Sequence, residues 1–365
     1  MSRIAGAICA LTCAVFPASV AFAETVRVAS FNMELVREGP GLALRDIRRA
    51  DDPQISAIIE VLGRVRPDIL AVQGLDYDFG LETLNALNSR LGEAGLSYPY
   101  ALALPTNRGL QTGLDLDGDG RAGEAADAQG FGRFYGQGAM ALLSRYPVDQ
   151  DGVLDFTTLL WAELPETQRP MLEDGTPFPS VQAAAQQRLS SSGHWVVPVR
   201  IGETQRLTLL TFHAAPPVFD GPEDRNGRRN ADEIRLWRHL LDGRVGPVPA
   251  TPFVIAGAAT LDPFDSDGRH EAIRDLLSDS RLQDPGPTSS GAATAPDEGH
   301  AGPNELDTVE WEGVGRLRVD YVLPSADLSI TDAGVFWPAP GEAGHEAALT
   351  ASRHRLVWVD VVVVP

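Results

Sequence analysis

Three stretches of this sequence carry polar residues at spacings that could do chemistry. Asp115-Leu116-Asp117-Gly118-Asp119-Gly120-Arg121 places aspartate at alternate positions and a glycine at the sixth. That is the opening of an EF-hand-type calcium loop, in which Asp115, Asp117 and Asp119 would supply oxygens and the glycine permits the sharp turn. The twelfth position, where a bidentate glutamate should stand, is Ala126, with Glu124 and Asp127 on either side. A calcium site and a solvated acidic loop are therefore both open readings, and bound calcium would serve to order a long insertion. The second stretch, Pro222 to Asn230, sets Arg225, Arg228 and Arg229 ahead of a helix predicted to begin near Ala231. Guanidinium forks beside the free N–H groups of a helix start suit an anionic group such as phosphate. Glu223, Asp224, Asp232 and Glu233 lie close enough in sequence to neutralise the same arginines. The third stretch, Ser190 to Ser192 beside His194, has no aspartate at a helpful spacing, so a serine-hydrolase reading is poor.

Further polar residues stand singly at the ends of apolar runs, and those runs are the elements that must position them. Val26–Phe31 reads as a strand that delivers Asn32, Pro67 opens a buried strand Ile69–Val72, and Leu207–Phe212 delivers His213. Ala139–Leu143, Trp195–Ile201, Phe253–Ala256, Leu317–Leu323 and Leu356–Val364 also read as strands. Helical spacing runs through Gln54–Leu62, Leu81–Leu91, Ala231–Leu241 and Glu271–Leu277, and Asp284–Gly302 reads as Gly/Pro/Ser-rich coil. Pro105–Gln137 and Leu164–Gln187 are long loops, read as insertions over one scaffold. The pattern predicts a mixed α/β, two-sheet layered architecture rather than a strict βαβ repeat.

Composition narrows the function classes. With 365 residues and 43% hydrophobic content the chain can bury a real core. Its net charge of −20 gives no global attraction for nucleic acid or an anionic membrane, so any phosphate-handling site must be local. Every basic residue is arginine, which excludes lysine Schiff-base chemistry. Arg3, an apolar run from Ile4 to Val20 and Ala21-Phe22-Ala23 read as a cleavable signal peptide over 1–23, with a mature domain over 24–365. Both cysteines, Cys9 and Cys13, fall inside that signal, leaving a mature chain without thiol, disulfide or membrane anchor. A periplasmic or secreted location is the expectation.

Taken in order, the strand-ending motifs resemble the endonuclease/exonuclease/phosphatase superfamily, the fold of pancreatic-type deoxyribonuclease. They are Phe31-Asn32-Met33-Glu34, Asp68 to Gln73, Gly136 to Pro147, His213, Phe253 to Gly257 with Asp262-Pro263, Arg318 to Leu323, and Ser352 to Trp358. The likeness spans essentially the whole mature chain and is greatest to an exported bacterial branch. It implies a four-layer sandwich, two packed mixed β-sheets flanked by helices. Active members cleave phosphoesters with a divalent metal, which needs carboxylates for a hard cation, a group to aim water and a histidine to steady phosphate oxygens.

Carried over residue by residue, the resemblance retains Asn32, His213, Asp320 and His354 as catalytic positions. It also finds four positions vacated. Gly74 stands where a glutamate should follow Gln73, Gly257-Ala258-Ala259-Thr260 replaces Gly-Asp-x-Asn, and Ser352-Arg353-His354 replaces Ser-Asp-His. Asp76, Asp78 and Asp262 are the nearby carboxylates that could compensate. Arg353 could act instead as an anion-binding cation with Arg225 and Arg228, swing to solvent, or pair with Asp320. The leading expectation is an exported binding module, inactive or strongly impaired, with a phosphate-containing small ligand and an unknown partner. The alternative is an active phosphoesterase using Mg²⁺ or Mn²⁺ in a rearranged site.

Overall fold

A computed structural model describes residues 23–294 and 299–364. Most of the signal segment read over 1–23 lies outside the described residues. Two large sheets dominate. The first has the strand order Ser329–Val335, Val357–Val363, Glu24–Leu35, Ile69–Leu75, Ala139–Ser144, Tyr100–Leu102. The second runs Asp320–Pro324, Phe253–Ala258, Arg206–His213, His194–Arg200, Leu154–Asp155. Both are mixed. Glu24–Leu35 runs parallel to Ile69–Leu75 and antiparallel to Val357–Val363. Arg206–His213 runs parallel to Phe253–Ala258, which pairs antiparallel with Asp320–Pro324.

The alternation of side chains explains the layering. Val26 and Val28 join Ile69, Ala71, Leu209 and Val254 in the core between the sheets. The intervening Ala29, Phe31 and Met33 pack outward on Ile47, Ile58, Leu62 and Leu87 of helices Leu42–Arg49, Pro53–Val65 and Glu82–Glu93. On the second sheet Leu210 and Phe212 face Ile234, Trp237 and Ile273 of helices Arg225–Leu241 and Glu271–Leu277. Because successive strand residues point to opposite faces, Asn32, Gln73, His213, Ala258 and Asp320 share the inward parity of the central core. They stand where the parallel strands of both sheets end, so one end of the sandwich collects them.

Several boundaries differ from the sequence reading. The arginine-rich helix begins at Arg225, not near Ala231, so its three arginines lie within the first turns. Leu317–Leu323 is two strands, Gly315–Leu317 and Asp320–Pro324, and the coil after Asp284 contains a short helix, Ser290–Ala293. Helices Leu42–Arg49, Val181–Gln186 and His345–Ala351 were not foreseen. Among the described residues no helix is long and apolar enough to cross a membrane.

Candidate active-site cleft

The collected strand ends open into a cleft of about 1330 Å³ lined by Asn32, Glu34, Gly74, His213, Thr260 and His354, with Arg108 and Arg353 on its walls. At its base His354 joins the two sheets. Its Nδ1 donates to Asp320 Oδ2 at 2.8 Å, and Asn32 Nδ2 approaches its Nε2 at 3.3 Å. Thr308 Oγ1 also donates to Asp320 Oδ2, at 3.0 Å. Burial opposes charge on His354, but the Asp320 carboxylate outweighs it and raises the imidazole above its ordinary value. His213 behaves oppositely. Burial, and then the nearby charges of Arg108 and His354, push it well below the ordinary value, and its Nδ1 has no hydrogen-bond partner.

At Gly74, Ala258 and Thr260, three of the four vacated positions, close contacts limit what could be held there. Gly74 has φ +72° at an irregularity where the ladder shifts between Gln73 and Leu75. A Cβ there would lie 2.6 Å from Asn32 Oδ1 and 2.7 Å from the backbone nitrogen of Glu34. Ala258 is fully buried opposite Asp320, and Thr260 donates its hydroxyl to Ala214 O at 3.0 Å. None of the compensating carboxylates takes over. Asp78 accepts from Glu82 N and Thr83 N at the start of its helix. Asp262 accepts from Phe264 N, Asp265 N and Arg318 N. Asp76 accepts from Gly138 N at 3.0 Å, while burial raises its pKa and leaves Oδ2 without a partner.

Glu34, outside the set of site residues read from the sequence, brings a carboxylate to the cleft beside Asn32, and the exposed Asp267 and Glu312 line the cleft as well. The position of Glu34 two residues beyond Asn32 in an alternating strand was the available signal. Arg353 pairs with it rather than with Asp320 or solvent: Nε lies 3.1 Å from Oε2, and Nη2 donates to Oε1. Ser352 Oγ also donates to Glu34 Oε2, at 3.2 Å. Burial works against the Glu34 charge, but Arg353 prevails and lowers its pKa.

The expected anion-binding arginines are spent on backbone carbonyls. Arg225 donates to Leu116 O, and Arg228 to Glu223 O and Gln168 O. Arg229 donates to Leu189, Gln129, Arg188 and Ser190 carbonyls, pinning the first insertion and the segment just after the second to the helix. Away from the cleft, Asp115 and Asp117 come together with Asp127, their carboxylate oxygens within 4.8 Å of one another, a group that could hold a metal ion. Asp119 is not in that group and instead accepts from Arg121 N at 2.8 Å.

The model of the endonuclease/exonuclease/phosphatase family matches residues 29–354. The chain belongs to that family. Among solved structures, an endonuclease/exonuclease/phosphatase from Beutenbergia cavernae is 15% identical with a TM-score of 0.54, covering 93% of this chain and 72% of that one. A family protein from Leptotrichia buccalis is 14% identical with a TM-score of 0.51, covering 92% and 99%. The human Nocturnin catalytic domain, solved with bound sulfate, is 14% identical with a TM-score of 0.50, covering 94% and 96%. At these identities the likeness is one of fold. No curated protein matches the chain.

The family typically depends on a divalent metal, and the residues at the retained family positions, with Glu34, do not fit one. A hard cation such as Mg²⁺ requires several oxygen ligands in near-octahedral array. Asn32 Oδ1 already accepts from Glu34 N at 3.2 Å, and the Glu34 carboxylate is held by Arg353 and Ser352. Of the retained oxygens, Asp320 Oδ1 alone lacks a partner.

Proposed function

We propose that this member of the endonuclease/exonuclease/phosphatase family has lost metal-dependent phosphoester hydrolysis and keeps its cleft as a binding site, acting in the periplasm or outside the cell. The observation that carries the reading is Gly74, where a side chain would collide with Asn32 Oδ1 and the Glu34 backbone. The position that should supply a glutamate is therefore closed, not merely vacant. With Asp320 Oδ1 as the one partnerless oxygen at the retained family positions, that part of the cleft is a poor generator of a metal-bound nucleophile. The retained Asp320–His354–Asn32 chain then acts to hold the two sheets in register at the cleft.

With Mg²⁺ or Mn²⁺, and a panel of phosphodiesters and phosphomonoesters, wild type should turn over no faster than His213→Ala. Turnover that disappears in His213→Ala would sink the reading and restore the alternative, an active enzyme in which Arg353 leaves Glu34 free for a metal.

A separate role is proposed for Asp115, Asp117 and Asp127: holding Ca²⁺, with Gly118 and Gly120 at positive φ shaping the loop. The three carboxylates converge in the folded loop, so a cation that neutralises them binds the native state preferentially. Calcium at about a hundredfold over its Kd should add about 2.7 kcal/mol to stability. Scanning calorimetry should register this as a raised melting temperature that Asp117→Ala loses. An unchanged melting temperature at saturating calcium would dispose of the site.

A further inference from the structure

Arg108, Arg225, Arg229 and Arg353 line the cleft, and Arg108 is the one whose terminal nitrogens make neither a hydrogen bond nor an ion pair among the described residues. It lies on the long insertion after Pro105 and lines the cleft beside His213. Its Nε donates to Gln137 O at 3.1 Å. The carboxylates that act on it are Glu233 and Asp76, and neither forms an ion pair with it: Glu233 is committed to other donors, and Asp76 keeps one oxygen, Oδ2, without a partner. Glu233 accepts from Ser191 N, Ser191 Oγ and Ala215 N, and Asp76 from Gly138 N. Burial pushes the Arg108 pKa down to about 10, which still leaves it charged at neutral pH. A half-buried guanidinium whose terminal N–H groups lack a protein partner favours an anion beside it.

The neighbour facing the same space has the complementary shortage. His213 is neutral, and its Nδ1 has no partner. Above this floor the cleft is walled by Phe131, Phe219, Trp311, Val314 and Leu349. Phe219 is 87% exposed and Phe131 58%, so both rings are open to a ligand.

We infer that Arg108 and His213 form a metal-free site for a phosphoryl oxyanion carried on an apolar body, with Phe219 and Phe131 receiving that body. The inference rests on the proposed loss of hydrolysis, since the bound ester must persist. A guanidinium takes phosphate oxygens directly through paired N–H donors, and the imidazole adds a further hydrogen bond. No bond is made or broken.

Phenyl phosphate and inorganic phosphate, titrated calorimetrically in EDTA, test it. Both should bind wild type, phenyl phosphate more tightly. Arg108→Gln should weaken both at least tenfold, Arg108→Lys should retain part of the affinity, and Phe219→Ala should weaken phenyl phosphate alone. Unchanged thermal melting of Arg108→Gln separates lost binding from lost folding; if that variant melts early, the comparison moves to Phe219→Ala and Arg108→Lys. Absence of saturable binding in EDTA, binding that appears with Mg²⁺ only, or affinity indifferent to Arg108 would each overturn the inference. Hydrolysis of phenyl phosphate with metal would instead overturn the proposed function, leaving the titration in EDTA to be judged separately.

Discussion

Gly74→Ala should lower the free energy of unfolding by about 2–4 kcal/mol, the sum of left-handed backbone strain and local overpacking. The position combines both penalties. Its φ of +72° disfavours any Cβ, and the Cβ would meet Asn32 Oδ1 at 2.6 Å and the Glu34 nitrogen at 2.7 Å. The second contact is with backbone, so a side-chain rotation cannot relieve it. Urea unfolding of the two proteins measures the difference, and a change under about 0.5 kcal/mol would show that the strand end yields easily. Gly74→Glu should suffer the same loss and, by displacing Asn32, should not restore turnover on its own.

Acid should destabilise the protein through His194. This residue is fully buried, with Nε2 donating to Glu233 O at 3.0 Å and Nδ1 accepting from Ser190 Oγ at 2.7 Å. Burial, aided by the charge of Arg229, pushes its pKa down from 6.5 to about 3. Across that window the unfolded chain binds a proton here and the native state does not, so stability falls as pH falls. The slope approaches roughly 1.4 kcal/mol per pH unit, so this residue alone removes a few kcal/mol, on the order of 2–3, by about pH 4.5. His194→Gln keeps a donor and an acceptor but cannot titrate. Its unfolding free energy should therefore fall less steeply than wild type between about pH 6.5 and 4.5, and parallel slopes would refute the assignment.

The strands that carry the cleft were legible because their signal is local. Val26–Phe31 and Leu207–Phe212 alternate or run apolar, and each ends on a polar residue that the fold places inward. Polarity misled at Arg225–Leu241. Arg225 and Arg229 read as anion-binding or as neutralised by neighbours such as Asp232 and Glu233, yet all four are buried and bonded to carbonyls and amides that sequence spacing does not reveal. Helices Leu42–Arg49 and His345–Ala351 were missed because their buried faces are mostly alanine, with Ile47 the single large residue. In the site, the losses at Gly74, Ala258 and Thr260 could be seen in the sequence, whereas the close contacts around them depend on tertiary structure. Arg108 gave no signal, since its place in the cleft is set by how a long insertion folds back.

The pairing of Glu24–Leu35 with Val357–Val363 has a consequence for the order of assembly. The first strand lies in the interior of its sheet, yet its antiparallel neighbour is the last strand of the described chain, from Glu24 opposite Val363 to Ser30 opposite Val357. A ribosome, or any translocating pore, releases these segments in sequence, so the early strand waits for nearly the whole polypeptide before this ladder can close. Until then one row of its amides and carbonyls is unpaired beside Val26 and Val28, an open edge of the kind that recruits foreign strands. Such distant pairing slows folding because the large loop must close before the ladder contributes. The incomplete chain, rather than the finished protein, is the form most exposed to aggregation.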